Sequence, residues 1–386
     1  MHIRIYHKSL WPKYKGAIFS VLHRLSQARG VEISFVHVAE TDEIRLALGG
    51  VDLTYHTYPF RVIIPGSYED ASTLRRTFAL TRDLLTNPAD LVVLPGYDRI
   101  ENWVMLLVCM LTGRKRAVFC DSTLNDNPQV RWKVLAKRFF FSRCDAFVAY
   151  GQRTKEYLLA LGANHDKIIF PCVAPALPHD YDASEVRSNY AASNVDNSGL
   201  CSRFLYVGRL APEKGLIDLL DAFSLVRAKL PAAHLDLIGE GGLRESLVQR
   251  IAALGLADRV TLLGTLPLSE IVPHYLRSAA LVLPSHREPW GLVANEALSY
   301  GCPVVIGDRC GCVPELVVEG VSGYTFKSGD VSDLAAAMLK ATELSHDRLA
   351  TAERCVAVAS KLTPAQAAGQ MLNGLSRLLE SRIEDV

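Results

Sequence analysis

The sequence predicts two doubly wound α/β domains in tandem, each a parallel sheet with helices on both faces. Three observations lead there. The chain has 386 residues, enough for two domains of about 180 residues with full cores. Short apolar runs of strand length alternate with helical patterns through both halves, as crossover-connected parallel strands require. The alternation breaks once, at Asp180–Ser202, where polar and small residues (DYDASEVRSNYAASNVDNSGLCS) suit a linker. The expected division is therefore 1–180, a linker at 181–202, a second domain at 203–362 and a C-terminal helical segment at 363–386.

In the first half, His2–Tyr6 reads as a strand and Ile18–Gln27 as a helix, joined by a Lys-rich loop containing Gly16. Ile33–Val38, Leu91–Leu94, Ala117–Phe119 and Ala146–Ala149 read as further strands, with helical patterns at Ser72–Leu85 and Trp103–Leu111. In the second half the strands are Phe204–Val207, His234–Ile238, Val260–Leu263, Ala280–Pro284 and Val304–Ile306. Between them lie helical patterns at Leu216–Lys229, Leu243–Leu254 and Ile271–Ser278, and Pro364–Ser381 closes the chain. Ligands of such sheets bind beyond the C-terminal strand ends.

Hydrophobic residues make up 49% and charged residues 22%, which describes an ordered globular protein. The net charge is +1, but residues 1–180 carry 23 Lys and Arg against 17 Asp and Glu, and the remainder 19 against 24. The basic first half favours an anionic partner; a nucleic-acid partner is not expected. Nine scattered cysteines show no metal spacing and read as reduced thiols of a cytoplasmic protein. No signal peptide is evident, and the apolar run Trp103–Leu111 is shorter than the roughly 20 residues a bilayer demands.

The stretch His286–Tyr324 concentrates the chemistry. Pro289 pushes Glu288 into an extended loop conformation after a strand. A helix starts near Leu292 and is stopped by Gly301 and Pro303. The backbone N–H groups of Gly291, Leu292 and Val293 stand at the positive end of that helix and favour a phosphate. Glu296, about one turn in, can accept two protons from a vicinal diol such as a ribose, and Glu288 can reach a second polyol. A diol on each side of an anion describes a nucleotide-diphosphate sugar. Spacing alone also allows a surface helix with two solvated glutamates.

The segment from Glu288 (EPWGLVANEALSYGCPVV) resembles the E-x7-E signature of retaining glycosyltransferases, family 4 in particular. Gly311-Cys-Val-Pro-Glu-Leu-Val and Gly320-Val-Ser-Gly-Tyr-Thr-Phe continue the pattern, and Tyr206-Val-Gly-Arg-Leu-Ala-Pro-Glu-Lys-Gly215 resembles the same family's Gly-Arg-Leu…Lys-Gly element. The resemblance covers roughly 204–326. It implies a GT-B fold, two Rossmann-like domains facing across a cleft, with the C-terminal helix packing back on the first domain and the acceptor on the first domain's side.

It also implies a hexosyltransferase that retains anomeric configuration, taking its donor from a UDP- or GDP-sugar. Arg209 and Lys214 would hold the diphosphate and stabilise it as it leaves. The one D-x-D, Asp180-Tyr181-Asp182, falls in the linker stretch and not on a motif loop, so no metal or other cofactor is expected. Glu288 would orient the sugar. The implied donor contacts are Gly16, Gly208, Glu240, Gly291, Leu292, Val293 and Glu296. Gly16 holds the place of a loop that approaches the phosphates, and Gly239-Glu-Gly-Gly242 lies near the base; a plain glycine turn remains open there. Relatives place a His where Asp121 and Ser122 stand; Asp121 contacts sugar or acceptor, or else caps a helix. His286 and Arg287 either line the cleft or are exposed loop.

Gln129–Arg143 reads as a helix whose residues Trp132, Leu135, Ala136, Phe139 and Phe140 span an arc of about 140°, taken as a core face. Arg131, Lys133, Lys137 and Arg138 lie opposite, with Phe141 among them. That basic face suits an anionic membrane surface. The expectation is a cytoplasmic enzyme that can rest on the inner face of the cytoplasmic membrane and act on a glycan or lipid-linked acceptor in cell-surface polysaccharide or glycoconjugate synthesis. The competing readings are a sugar-nucleotide-binding partner without activity, an epimerase of the same fold and a phosphorylase. A dehydrogenase is disfavoured because no G-x-G-x-x-G opens the first strand–helix unit.

Overall fold

The structure, a computed structural model, describes residues 1–46, 49–126, 130–192 and 202–380. Two compact units divide them: Met1–Ala176 joined by the segment from Leu362 onward, and Leu177–Lys361.

The first unit is built on a seven-stranded sheet: β1 His2–Ser9, β2 Glu32–Thr41, β3 Phe60–Ser67, β4 Leu91–Leu94, β5 Lys115–Cys120, β6 Ala146–Ala149 and β7 Ile168–Ile169. Their spatial order is β3-β2-β1-β4-β5-β6-β7, and every pairing is parallel. A parallel sheet is covered on both faces, so its central strands read as unbroken apolar runs. β4 is such a run, with Leu91–Leu94 fully buried. Ile3 and Ile5 of β1 face one layer with Ile18, Phe19 and Leu22 of the helix Lys13–Ala28 and Met371, Leu372 and Leu375 of the helix Pro364–Glu380. Tyr6 faces the other layer with Leu80 and Leu84 of the helix Thr73–Thr86 and Met105 and Leu106 of the helix Ile100–Leu111. The helix Pro364–Glu380 lies against Lys13–Ala28, where Arg29 Nη1 donates to Asn373 Oδ1 at 2.5 Å.

The second unit holds six parallel strands: β8 Arg203–Val207, β9 His234–Ile238, β10 Val260–Gly264, β11 Ala280–Leu283, β12 Val304–Gly307 and β13 Gly323–Phe326. Their order is β10-β9-β8-β11-β12-β13. Each sheet thus reverses its winding once, at β1/β4 and at β8/β11. The neighbouring loops there leave in opposite directions and open a crevice at the strand ends.

Two sequence expectations are corrected. The stretch 181–202 is not a plain linker. Ala183–Ala192 is a helix of the second unit, anchored by Tyr181, whose hydroxyl donates to Ser299 O at 2.6 Å, and by Tyr190, whose hydroxyl donates to Tyr300 O at 3.2 Å. Its small and polar residues hide an element held by two tyrosines. Residues 193–201 lie outside the described residues.

The second correction concerns the basic helix, which runs over Arg131–Ser142; Gln129 lies outside the described residues. Phe141 is 2% exposed and packs on Tyr97 and Phe147 at ring-centroid distances of 4.8 and 5.4 Å. It cannot meet a membrane. Trp132, Leu135 and Phe139, assigned to the core face, are instead 67%, 66% and 52% exposed. Lys137 turns inward over the rings of Tyr97 and Tyr157. An apolar arc shows that a helix has a face, not which neighbour covers it. Here Val134, Phe140 and Phe141 dock on the sheet, and the larger apolar arc is left in solvent beside Arg131, Lys133 and Arg138.

Candidate active site

The loops after β8 and β11 flank the winding reversal of the second sheet, and both sequence blocks fall on them. After β8 the chain passes Gly208 and Arg209, makes a single turn at Pro212–Lys214 and enters the helix Leu216–Lys229. Gly215 is left-handed, with φ 65°, and a Cβ there would lie 2.2 Å from Pro284 O. Only glycine lets this loop seat against the end of β11. Two backbone bonds fasten the loops together: His286 N and Arg287 N donate to Glu213 O at 2.9 and 3.3 Å.

This fastening brings the charges into register. Lys214 Nζ donates to Glu288 Oε2, and both side chains are mostly buried, at 14% and 13% exposure. Ser285 Oγ lies 3.5 Å from the same oxygen. Arg209 Nη2 meets Glu213 Oε1 at 2.8 Å on the open side. Burial works to raise the Glu213 pKa, but its own backbone N–H and Arg209 hold it below the usual value. Burial, and then the Glu288 charge, raise the Tyr206 phenol. Its hydroxyl donates to Arg209 O at 2.8 Å and so fixes the start of the loop.

Glu288 is fixed from the far side as well. Its carbonyl accepts from Gly311 N at 2.9 Å, and Trp290 O accepts from Cys312 N at 3.2 Å. A Cβ on Gly311 would fall 1.7 Å from Pro289 O, so this contact exists only with glycine. The helix Leu292–Ser299 then starts at Gly291 (φ 99°) with no side-chain cap and no acidic residue in its first turn. The N–H groups of such a turn lack intrahelical partners, and the dipole favours an anion there.

Glu296 is half-buried in this helix and accepts from Tyr275 Oη at 3.4 Å. Tyr275 stacks on Tyr300 at 5.9 Å and 8°, and its phenol is raised by burial first and the Glu296 charge second. Sequence reasoning missed Tyr275, which lies 21 positions before Glu296 in the helix Leu268–Arg277 and carries no motif. Glu240, after β9, pairs with Arg244 at 2.8 Å on the surface, while its backbone carbonyl accepts from Leu210 N at 2.9 Å. Gly239 permits that approach, since a Cβ would meet Gly208 O at 1.9 Å.

Asp121 and Gly16 belong to the first unit. Asp121 lies in the wall of a cavity of about 330 Å³ at the β1/β4 reversal, with Ser9, Lys15, Pro95, Asp98 and Ser122. Asp121 is exposed to the cavity, where desolvation raises its carboxyl against the pull of Lys15. Gly16 sits in the first turn of the helix Lys13–Ala28, its N–H donating to Pro12 O at 3.2 Å. A Cβ on it would strike the His56 ring at 2.8 Å, a packing reason for glycine. Among the described residues no group of three His, Cys, Asp or Glu could hold a metal ion, and no helix is long and apolar enough to cross a membrane. The eight described cysteines form no disulfide and are buried.

Residues 202–359 match the family model described as "Glycosyl transferases group 1". The chain is 35% identical over 162 residues to a glycogen synthase of Mycobacterium tuberculosis, an alignment covering 42% of this chain and 38% of that protein. It is 29% identical over 259 residues to a D-inositol 3-phosphate glycosyltransferase of Geodermatophilus obscurus, covering 63% and 55%. The chain therefore spans about two fifths to just over half of these relatives' length. Among solved structures, Anabaena Alr3699/HepE in complex with UDP and glucose superposes over 98% of this chain and 100% of that one, with TM-score 0.70 at 20% identity. The fold is that of the GT-B glycosyltransferases.

Proposed function

We infer that the chain is a glycosyltransferase that moves a sugar from a nucleotide-diphosphate donor, UDP- or GDP-linked, to a hydroxyl acceptor. The observation that carries this reading is the assembly at the β8/β11 reversal. There, loops 209–215 and 285–291 are fastened by backbone bonds, and Lys214 pairs with Glu288 on the loop that leads into the helix Leu292–Ser299. A protein of the same fold, Anabaena Alr3699/HepE, has been solved with UDP and glucose, which supports such a donor.

In this reading the helix start, Arg209 and Lys214 take the diphosphate, and Glu296 takes the ribose diol. Glu288 passes from Lys214 to the hydroxyls of the sugar. The bond between the anomeric carbon and the diphosphate oxygen breaks while the acceptor oxygen bonds to the same face, so configuration is retained. The acceptor proton passes to the leaving phosphate oxygen. Lys214 and Arg209 stabilise the charge that builds there, so no metal is invoked. The acceptor is assigned to the first unit, where Asp121 and Ser122 can bond its hydroxyls. A glycan, including a lipid-linked one, of cell-surface polysaccharide or glycoconjugate synthesis fits that role. A panel of sugar nucleotides tests the reading: one UDP- or GDP-sugar stabilises the protein and is hydrolysed slowly to free sugar and nucleoside diphosphate. Saturable binding with no turnover would instead show a binding protein.

Membrane contact is assigned to the exposed face of the helix Arg131–Ser142 at the inner leaflet. Trp132, Leu135 and Phe139 stand out beside Arg131, Lys133 and Arg138, with Leu107 and Leu111 of the neighbouring helix also exposed. Apolar residues among cations match an anionic bilayer surface.

A further inference from the structure

The cavity of the first unit contains a charge with no hydrogen-bond acceptor among the described residues. Lys15 is 1% exposed, and its Nζ makes no hydrogen bond among the described residues. Aromatic rings surround it: Phe119 at 4.5 Å, Tyr150 at 4.8 Å, Tyr14 at 5.5 Å and Phe19 at 6.0 Å. These offer cation–π attraction, and none accepts a hydrogen bond from Nζ. A buried ammonium without a partner is costly, and such groups recur where a ligand supplies the missing partner.

Three further features agree. The helix Lys13–Ala28 starts at this cavity with neither a side-chain cap nor an acidic residue in its first turn, so its positive end adds to the field. Lys8, Arg45 and Lys137 line the cavity with Lys15, against the carboxylates of Asp98 and Asp121 alone. Lys8 and Arg45 share one outside carboxylate, Asp42, which leaves positive charge in excess.

We propose that this cavity holds an anionic group of the acceptor, a phosphate or a carboxylate, with Lys15 as the central cation and Arg45 and Lys137 at its rim. The proposal rests on the glycosyltransferase reading for the word acceptor; the anion site itself does not. The same chemistry could be supplied by the donor's diphosphate, so the test separates the two sources.

Inorganic phosphate is titrated calorimetrically into the full chain, with and without saturating UDP or GDP. The expected result is that phosphate binds alongside the nucleotide. Lys15→Met weakens phosphate by about tenfold or more, the scale of one charged hydrogen bond, and leaves nucleotide affinity unchanged. Lys137→Met, a separate position on another helix, weakens phosphate in the same direction. Displacement of phosphate by the nucleotide would assign these cations to the donor and overturn the proposal. So would phosphate affinity indifferent to both substitutions, or no phosphate binding at all. Absence of nucleotide binding with phosphate binding intact would count against the glycosyltransferase reading only.

Discussion

Lys214 and Glu288, 74 positions apart in the chain, hold each other as an ion pair at the β8/β11 reversal of the second unit. The pair keeps an ammonium and a carboxylate aligned in a mostly buried site, where either one alone would be costly. In the proposed glycosyltransferase these are the groups assigned to the diphosphate and the sugar.

Removing the cation should therefore act on the chemical step. Lys214→Ala is expected to lower kcat about 100-fold, the scale of one lost transition-state donor. Because Glu288 loses its partner, stability should fall by about 1–3 kcal/mol. Steady-state turnover of the stabilising sugar nucleotide checks the first figure and thermal unfolding the second. An unchanged kcat would remove Lys214 from the mechanism.

Glu296 makes a different demand. It touches Tyr275, stands one turn into the helix, and is assigned to the ribose rather than to the leaving group. Glu296→Ala should raise the donor KM about tenfold, as loss of a charged hydrogen bond does, with kcat within a few-fold. A fall in kcat at constant KM would place it at the reacting centre instead.

Gly311 tests the scaffold. Gly311→Ala puts a methyl into Pro289 O, displacing the loop that carries Glu288. Stability should drop by about 2–4 kcal/mol, and kcat should drop with it. A variant with wild-type activity would show that the Glu288 loop need not be held in place.

Burial lowers the Lys15 pKa to about 8 from 10.5, against the opposing pulls of Cys172 and Asp121. The charged form is thus disfavoured in the fold. Below pH 8 both folded and unfolded chains carry the proton and the full penalty applies. Between about pH 8 and 10.5 the unfolded chain binds more protons, so this group's contribution to stability rises with pH. Lys15→Met lacks the penalty. Its melting temperature should exceed wild type at pH 7, by an amount corresponding to about 1–3 kcal/mol, and the gap should close toward pH 10. A gap constant over that range contradicts the assignment.

Flotation with vesicles of anionic lipid at low salt checks the exposed helix face. Wild type should float, and Trp132→Ser combined with Phe139→Ser should float several-fold less. Neutral vesicles or high salt should release both, because the attraction is partly coulombic. Equal flotation of the double variant would move the contact elsewhere.

The two-sheet α/β architecture was legible because its strands are buried on both faces and read as plain apolar runs, as at Leu91–Leu94 and Ala146–Ala149. β3 was not legible: Phe60 and Arg61 are exposed at the sheet edge, and Pro65 and Gly66 look like a turn. The helix Arg131–Ser142 was found, but its orientation depends on Phe140 and Phe141 meeting Tyr97 and Phe147, contacts that no local period encodes. The two loops of the candidate site were visible as motifs, yet their fastening through Glu213 O and Gly311 N is backbone to backbone, and the glycines that permit it, Gly215 and Gly311, do not name their partners in the sequence. Lys15 was passed over for a similar reason. A lysine between Tyr14 and Phe19 in a Lys-rich loop looks solvated until the rings close around it.

The most direct measurement is a calorimetric titration of UDP and of GDP into wild type and Lys214→Ala. The account expects one of the two nucleotides to bind wild type, and to bind the variant at least about tenfold more weakly, since a diphosphate loses one charged contact. Binding of equal strength in both proteins, or no binding of either nucleotide, would contradict it.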